Sequence, residues 1–274
     1  MRFSKMNGLG NDYIYINLMR EKVKNPSKLS KQLSDRHFGI GGDGLVLIDK
    51  AKDGDFSMRM FNPDGSESGM CGNAIRCVGK YVYEKGLTKK KNLYISTPSG
   101  IKQIWLNVVG KKVESVKVDM GEAIMAKDQV PMICEGEYWL DSPIRTSKGL
   151  VNISCVSVGN PHAVIFINSY SEIDMELGQE IANHPLFPLR TNVEFVKIIN
   201  DKNAFVAVYE RGTGETMACG TGASASFYIA NRLGKLKDKA TIHLKGGRLF
   251  LEKKDNRLFM TGSAEFNYEG EINL

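Results

Sequence analysis

The chain lacks any long apolar segment. Its longest stretch without Lys, Arg, Asp or Glu runs from Gly149 to Ser171 and is interrupted by Gly159, Asn160 and Pro161. A membrane-spanning helix needs about 20 predominantly apolar residues, so this stretch predicts two strands joined by a turn. The amino-terminal residues also show neither the apolar core nor the cleavage site of a signal peptide. We therefore expect no membrane partner and a cytoplasmic location.

Cysteine is scarce, and positive charge is in only slight excess. The 274 residues include five cysteines, an odd number that favours reduced thiols in a cytoplasm over a disulfide framework. Lys and Arg total 37 against 31 Asp and Glu, and the basic runs at 89–91, 111–112 and 253–254 are short and scattered. A nucleic-acid footprint needs basic residues clustered on one face. We expect no nucleic-acid partner, although a weak positive potential would favour an anionic small substrate.

The hydrophobic pattern predicts a chain made mainly of strands. A length of 274 residues suits about two domains, and β-branched and aromatic runs with turn-rich borders recur in both halves. Helices are predicted over four segments: Leu29–Asp35, Ala74–Glu84, Met175–Asn183 and Ala223–Leu233. Gly86 and Gly234 follow two of these segments, where helix-ending glycines are expected.

An internal repeat relates the two halves. The stretch GMCGNAIRC at 69–77 has a counterpart in ETMACGTGASAS at 215–226, with the motif cysteines 148 positions apart. Other matching positions recur at an offset of 148 or 149. The pairs are Asn11 and Asn160, Gly44 and Asn192, Asn62 and Glu210, and Cys71 and Cys219. Four pairs at nearly one offset indicate an ancient duplication and two related domains.

Each motif cysteine comes directly before a predicted helix. Helix starts present unsatisfied backbone N–H groups and the positive end of the dipole, and such a location lowers the pKa of a thiol. The N–H groups just beyond the two sulfurs belong to Gly72, Asn73, Gly220 and Thr221. An anion, most naturally a carboxylate, suits such a pair of helix starts.

Two thiols on opposite sides of a carbon suit one class of reaction. Inversion at a carbon that carries hydrogen requires proton removal from one face and proton delivery to the other. A thiolate and a thiol, with roles exchanged in the reverse direction, perform this without a cofactor. The two helix dipoles also stabilise the negative charge that develops on the substrate, and the two thiols titrate as a coupled pair.

Other roles for the cysteines fit the sequence less well. The spacing between Cys71 and Cys77 matches no usual zinc motif, and no nearby histidine completes a ligand set. A Cys–His hydrolase using His162 would leave the second motif without a role. Cys77 lies on the far side of its predicted helix, and Cys134 and Cys155 have apolar or strand-like surroundings. We expect these three to be core residues.

Cofactor signatures are also missing. Residues 39–44 match G-x-G-x-x-G but precede a strand instead of following one and opening a helix, so a dinucleotide site is not expected there. We interpret them as a tight turn. No lysine has surroundings that indicate a pyridoxal Schiff base. The sequence predicts neither a metal nor a cofactor.

With these residues in view, the chain resembles the diaminopimelate epimerase family of cofactor-independent two-cysteine enzymes. The resemblance runs over nearly the full length and is carried by KMNGLGNDY, GIGGDGL, FNPDGSESGMCGNAIRC, VGNPHAV, TNVEFV and YERGTGETMACGTGA. It implies interconversion of LL- and meso-diaminopimelate by thiolate/thiol proton transfer at the α-carbon, in lysine and peptidoglycan precursor synthesis. A related cofactor-independent racemase for another amino acid, such as proline or histidine, is the alternative.

The resemblance also implies roles for individual residues. Cys71 and Cys219 would be the acid/base pair, and His162 and Glu210 would tune the pKa of the thiols. The substrate would be bound by Asn11, Asn62, Gly72, Asn73, Asn160, Asn192, Glu210, Arg211, Gly220 and Thr221. Arg211 offers a planar fork for a distant carboxylate. Some family members carry Gln where this chain has Gly44, so Gly44 is left out of the predicted site.

The family's fold implies two pseudo-symmetric α+β domains. Each would be a β-barrel-like sheet around a central helix, with the active site in the cleft between the domains. The repeat offset matches the tail at 263–274 to 114–125, so the tail would complete the first domain. The predicted domains are 1–118 with 263–274, and 119–262. The resemblance also implies a homodimer, with the strand-like tail around Tyr268 as an interface.

Overall fold

The structure is a computed structural model that describes residues 1–273. This part of the chain contains strands and four α-helices, which confirms the α+β class. It divides into two compact units, Met1–Asp119 with the chain from Thr261 onward, and Met120–Met260. The predicted boundaries, 1–118 with 263–274 and 119–262, stay a prediction about folding units. None of the helices over these residues has the length and apolar character needed to cross a membrane.

Strands account for most of the ordered elements. They are β1 Arg2–Gly8, β2 Asn11–Asn17, β3 Leu45–Lys50, β4 Phe56–Phe61, β5 Glu67–Ser68, β6 Asn92–Thr97, β7 Gly100–Val109, β8 Lys112–Glu122, β9 Ser142–Thr146, β10 Gly149–Ser157, β11 Pro161–Ile167, β12 Asn192–Asn200, β13 Asn203–Glu210, β14 Gly214–Thr216, β15 Lys239–Leu244, β16 Gly247–Lys254, β17 Arg257–Gly262 and β18 Glu265–Glu271. The helices are α1 Pro26–Ser34, α2 Gly72–Glu84, α3 Met175–Ala182 and α4 Gly220–Arg232. The uncharged stretch from Gly149 onward forms β10 and β11, as predicted.

The first unit is a sheet packed around α2. Strand β1 lies antiparallel between β18 and β2, and the order continues through β3, β4, β6 and β7. Helix α2 contacts β1, β2 and β7. Residues 72–82 of α2 are all buried, which is expected of a helix enclosed by its own sheet.

The second unit repeats the same pairing pattern around α4. In the first unit the successive pairs from β1–β2 to β6–β7 are antiparallel, parallel, antiparallel, parallel and antiparallel. The pairs from β10–β11 to β15–β16 in the second unit follow the same order. The register also repeats, since Leu45 lies opposite Phe61 and Val193 lies opposite Tyr209. Each residue of the first pair lies 148 positions before its counterpart in the second pair. The backbone pairing therefore supports the duplication inferred from the sequence.

The two central helices begin earlier than the sequence predicts. The structure starts them at Gly72 and Gly220, with Cys71 and Cys219 as their N-cap residues. Glycine has low helix propensity, which hides these first turns from a prediction based on apolar periodicity. The early start places each sulfur directly at the first turn of its helix.

The ends of these helices follow the prediction. Gly86 and Gly234 have φ angles of 70° and 71°, in the left-handed region where glycine carries no steric penalty. Gly86 donates its N–H to the carbonyl of Tyr83, and Gly234 donates to Asn231. These bonds satisfy carbonyl groups that the end of a helix leaves free.

Candidate functional site

Cys71 and its neighbours form a polar cluster within the first unit. Cys71 is half-buried with an extended backbone, at φ −131° and ψ 124°. Its Sγ donates to Oδ1 of Asn11 at 3.5 Å. Asn73, which is buried in the first turn of α2, donates from Nδ2 to the same oxygen at 3.3 Å. The structure therefore brings together four predicted site residues, Cys71, Gly72, Asn73 and Asn11.

Asp43 joins this cluster and was missed by the sequence analysis. Its Oδ2 accepts from Nδ2 of Asn11 at 2.8 Å, and its Oδ1 accepts from Arg36 at 2.9 Å. Asp43 lies in the GIGGDGL segment, where the glycines had drawn attention and the carboxylate had not. An acidic residue inside a glycine-rich turn is the signal that could have indicated it.

Arg76 is a second residue that sequence reasoning missed. Its side chain is fully buried in α2 and donates to Oδ1 of Asn73 at 2.9 Å and to the carbonyl of Gly72 at 3.0 Å. A third bond, of 3.1 Å, reaches the carbonyl of Ser263. Burial lowers the pKa of the Arg76 guanidinium. A charged residue in the middle of a buried helix was the available signal, because buried charges need partners.

Asn62 and Gly44 lie at strand ends, directly after β4 and directly before β3. The Asn62 side chain donates to Oγ of Ser66 at 3.0 Å within its own turn. Gly44 has a φ of 146°, and a Cβ there would lie 2.2 Å from the carbonyl oxygen of Phe61. The backbone at Gly44 therefore has no room for the glutamine that some family members carry.

Cys219 lies in a different environment in the second unit. It is buried, and its Sγ accepts from the N–H of Gly222 at 3.3 Å and lies 3.4 Å from Oγ1 of Thr221. Burial raises the pKa of the Cys219 thiol well above its usual value, and the nearby carboxylates of Glu210 and Glu194 add to this. The expectation that the helix start lowers this pKa is wrong for Cys219, because burial and the two carboxylates raise the pKa by more than the hydrogen bonds to Thr221 and Gly222 lower it.

His162 is held between two oxygen atoms within the same unit. Its Nδ1 lies 2.7 Å from Oε1 of Glu194, and its Nε2 lies 3.1 Å from Oδ1 of Asn160. His162 and Glu194 have no exposed surface, and burial raises the pKa of Glu194. Glu194 was not among the predicted site residues. Its signal was a carboxylate inside the apolar strand sequence NVEFV.

Glu210, Arg211 and Asn192 lie at the end of β13 and the start of β12. Burial raises the pKa of the Glu210 carboxyl group, whose Oε1 accepts from Oγ1 of Thr216 at 2.7 Å. The backbone N–H of Arg211 donates to Oδ1 of Asn192 at 2.9 Å. The Arg211 guanidinium donates from Nη1 to the carbonyl of Leu189 at 2.7 Å. It borders a pocket of about 410 Å³.

The remaining cysteines match the core prediction in part. Cys77 and Cys155 are fully buried, as predicted, whereas Cys134 is half-buried at the edge of a hydrophobic cluster. Burial raises the pKa of the Cys77 thiol to about 11. Over residues 1–273, no three His, Cys, Asp or Glu side chains are grouped in a way that could hold a metal ion.

Comparison with known proteins identifies the relatives of the chain. The family model described as diaminopimelate epimerase matches residues 3–126 and 154–267. A diaminopimelate epimerase of Methanococcus maripaludis (strain C5) is 49% identical over 277 residues, with 100% of both chains covered. The diaminopimelate epimerase of Acetivibrio thermocellus is 48% identical, with 100% of this chain and 99% of that protein covered.

Solved structures show the same fold at low identity. A probable proline racemase from Agrobacterium radiobacter K84 aligns with a TM-score of 0.75 and 15% identity, covering 100% of this chain and 93% of that one. A phenazine biosynthesis protein of the PhzF family from Bacillus anthracis aligns with a TM-score of 0.71 and 16% identity, covering 100% and 99%. At these identities the likeness concerns the fold alone.

Proposed function

The chain belongs to the diaminopimelate epimerase family and is an isomerase of diaminopimelate, and we propose that Cys71 and Cys219 are its two acid/base residues. Relatives at 48–49% identity over the full length carry that activity in their names. The reaction is inversion at the α-carbon, which interconverts the LL and meso forms for lysine biosynthesis. The observation that supports the assignment of residues is that each thiol is the N-cap of a buried helix in its own unit.

The helix starts supply a site for the reacting carboxylate. We assign it to the backbone N–H groups of Gly72, Asn73, Gly220 and Thr221, all within the first turns of α2 and α4. The first N–H groups of a helix have no intrahelical partner, and the dipole favours an anion there. As the α-proton leaves, negative charge spreads into the carboxylate, so these donors bind the transition state more strongly than the ground state.

Proton transfer needs one thiolate and one thiol. The thiolate removes the α-proton from one face, and the thiol on the other face delivers its own proton to the carbanion. Cys219 is buried beside Glu210, and both groups have raised pKa values. Glu210 is therefore a suitable acceptor for the Cys219 proton when the base form is required. His162 lies between Glu194 and Asn160 and is proposed, with Glu210, to tune the pKa of the thiols.

The far end of the substrate carries an ammonium and a second carboxylate. Arg211 suits this carboxylate, because its Nη1 group bonds to the carbonyls of Leu189 and Arg190 while its other donors have no partner in the described part of the chain. Planar bidentate pairing is the geometry that arginine provides. Asn11, Asn62, Asn160 and Asn192 are proposed to complete the shell, since each amide can donate and accept.

The assembly and location of the protein are also proposals. A homodimer is expected from the family resemblance, and Tyr268 on β18 is 49% exposed and available to a second copy. Sedimentation velocity at micromolar concentration should give a mass near twice 30.4 kDa. A monomer under those conditions would contradict the proposal. Five free cysteines agree with a reducing cytoplasm, which cell fractionation can test.

Deuterium exchange tests the reaction and the substrate together. Purified protein in D₂O with LL- or meso-diaminopimelate should incorporate deuterium at the α position with inversion. Cys71→Ala and Cys219→Ala should each abolish inversion. Rapid turnover of proline or histidine without turnover of diaminopimelate would contradict the substrate assignment and favour a related racemase.

A further inference from the structure

A linear series of side-chain hydrogen bonds, each with a fixed donor and acceptor, lies next to Cys71. It runs from Asp43 to Asn11, then to Asn73, and ends at Arg76. Each end residue has only one possible role, because the ionised carboxylate of Asp43 can only accept hydrogen bonds and the guanidinium of Arg76 can only donate them. The two asparagines between them could otherwise present either end of their amide groups.

The ends of this series fix both amides. Because Asp43 accepts at 2.8 Å, Asn11 must turn its Nδ2 towards Asp43 and its Oδ1 away from it. Because Arg76 donates at 2.9 Å, Asn73 must turn its Oδ1 towards Arg76 and its Nδ2 towards Asn11. The donor of Asn73 and the acceptor of Asn11 then meet at 3.3 Å. Each orientation supports the other.

The consequence falls on the thiol. Asn11 presents an oxygen to Sγ of Cys71 at 3.5 Å. An amide oxygen can accept the S–H proton, whereas it repels a thiolate. The orientation of Asn11 therefore favours the protonated form of Cys71. At Cys219 the bond to sulfur has the opposite direction, because the N–H of Gly222 donates to Sγ at 3.3 Å, although burial and the nearby carboxylates still raise the pKa of that thiol.

We propose that Asp43 is a positioning residue that acts through Asn11 to hold Cys71 in its acid form in the free protein. Asp43 is suited to this role because Arg36 bonds its other oxygen at 2.9 Å and the N–H of Asp12 bonds the same oxygen as Asn11 at 3.0 Å. Its carboxylate therefore has little freedom to turn. The inference rests on the proposed role of Cys71 in proton transfer.

Other titratable groups near Cys71 do not change the effect expected from a substitution at Asp43. Arg76 interacts with Cys71 and favours the thiolate, while Tyr15 and Cys77 would oppose it if they ionised. Burial raises the pKa of Tyr15 and of Cys77, so both are neutral near pH 7. Arg76 is charged throughout the working range and is unchanged by a substitution at Asp43.

The test measures how fast iodoacetamide alkylates Cys71 as a function of pH, without substrate, by mass spectrometry of the Cys71 peptide. In Asp43→Asn, residue 43 can donate as well as accept, so Asn11 keeps only the bond from Asn73 to hold its orientation, and its Nδ2 can turn towards the sulfur. The midpoint of the alkylation profile should move to lower pH by about one unit. Asp12→Asn is the matched control. It removes a carboxylate of the same ion network, but the Asp12 carboxylate contacts Lys5 and Arg36 and not Asn11. Asp12→Asn should therefore leave the midpoint of the alkylation profile unchanged.

A double-mutant cycle separates this role from a general charge effect. In an Asn11→Ala background, Asp43→Asn should produce no further shift, because the group it acts through is gone. An equal shift in both backgrounds, or an equal shift with Asp12→Asn, would overturn the proposal, as would an unchanged midpoint in a variant whose thermal unfolding matches the parent protein. Because no turnover is measured, an inactive protein could still pass or fail this test.

Discussion

At the residue scale, two cysteines in similar sequence contexts have different surroundings. Cys71 is half-buried and faces an amide oxygen, whereas Cys219 is buried, accepts an N–H bond and lies near two carboxyl groups. The sequence motif predicts the position of each sulfur at a helix start. It does not show burial or the carboxylates that strands β12 and β13 bring close to α4.

Glu194 should be essential to the stability of the second unit. Glu194→Leu would leave Nδ1 of the fully buried His162 without the carboxylate it contacts at 2.7 Å. Removing one partner of a buried pair destabilises by about 3 kcal/mol. Urea unfolding at pH 7 should show this loss, and Glu194→Gln, which keeps a hydrogen-bonding group of the same size, should lose far less. Equal losses in the two variants would show that the pair with His162 is unimportant.

The residues that the sequence analysis missed share one property. Asp43, Arg76 and Glu194 act through other side chains, and their partners are distant in sequence or become neighbours only when a helix forms. The two cysteines and the glycines that follow them are evident in the sequence because their motif repeats, whereas the asparagines are predicted from the family resemblance. A supporting residue has no such repeat, so only the folded contacts reveal it.

At the element scale, the central helices and buried strands were predictable because their apolar patterns are strong. Strand β1, with the sequence RFSKMNG, has a mixed pattern, and its pairing with β2 and β18 defines it. Helix α1 begins at Pro26 because Oδ1 of Asn25 caps it by accepting from the N–H of Lys28. That cap lies four residues before the predicted start at Leu29, outside the apolar periodicity.

The turn before β3 should not tolerate a side chain. Gly44→Gln would force a Cβ to within 2.2 Å of the Phe61 carbonyl oxygen at a φ of 146°. We expect a loss of stability of more than about 2 kcal/mol, although some family members carry Gln at this position. Thermal unfolding measures the effect.

Gly86→Ala is the control for this prediction. Its φ is also positive, at 70°, but a Cβ there meets nothing within 4 Å. It should therefore show the backbone strain alone, about 1 kcal/mol. Equal losses at Gly44 and Gly86 would mean that the clash with Phe61 is relieved by a small backbone shift.

At the scale of the whole molecule, stability should fall in alkali. Burial raises the pKa of Tyr15, Cys77, Cys155 and Cys219, so the folded protein keeps protons that the unfolded chain releases. For Cys77 the shift runs from 9.0 to about 11. Its contribution is complete below pH 9 and is lost as the pH rises to about 11.

Urea unfolding between pH 8 and pH 11 tests this pH dependence. The free energy of unfolding should decrease across the range, and Cys77→Ala should lower stability at pH 8 yet show a shallower decrease, by about 2–3 kcal/mol over the whole window. A parallel profile for Cys77→Ala and the parent protein would contradict the proposed burial of an un-ionised thiol.

The central claim is that each of the two thiols transfers protons on only one face of the α-carbon. Single-cysteine variants in D₂O test this claim most directly. With one thiol left, the protein should exchange the α-hydrogen of only one configuration and should not invert it. Cys71→Ala and Cys219→Ala should therefore exchange opposite configurations, one at the L centre of the LL form and the other at the D centre of the meso form. Exchange of the same configuration by both variants, or inversion by either, would contradict a two-thiol mechanism.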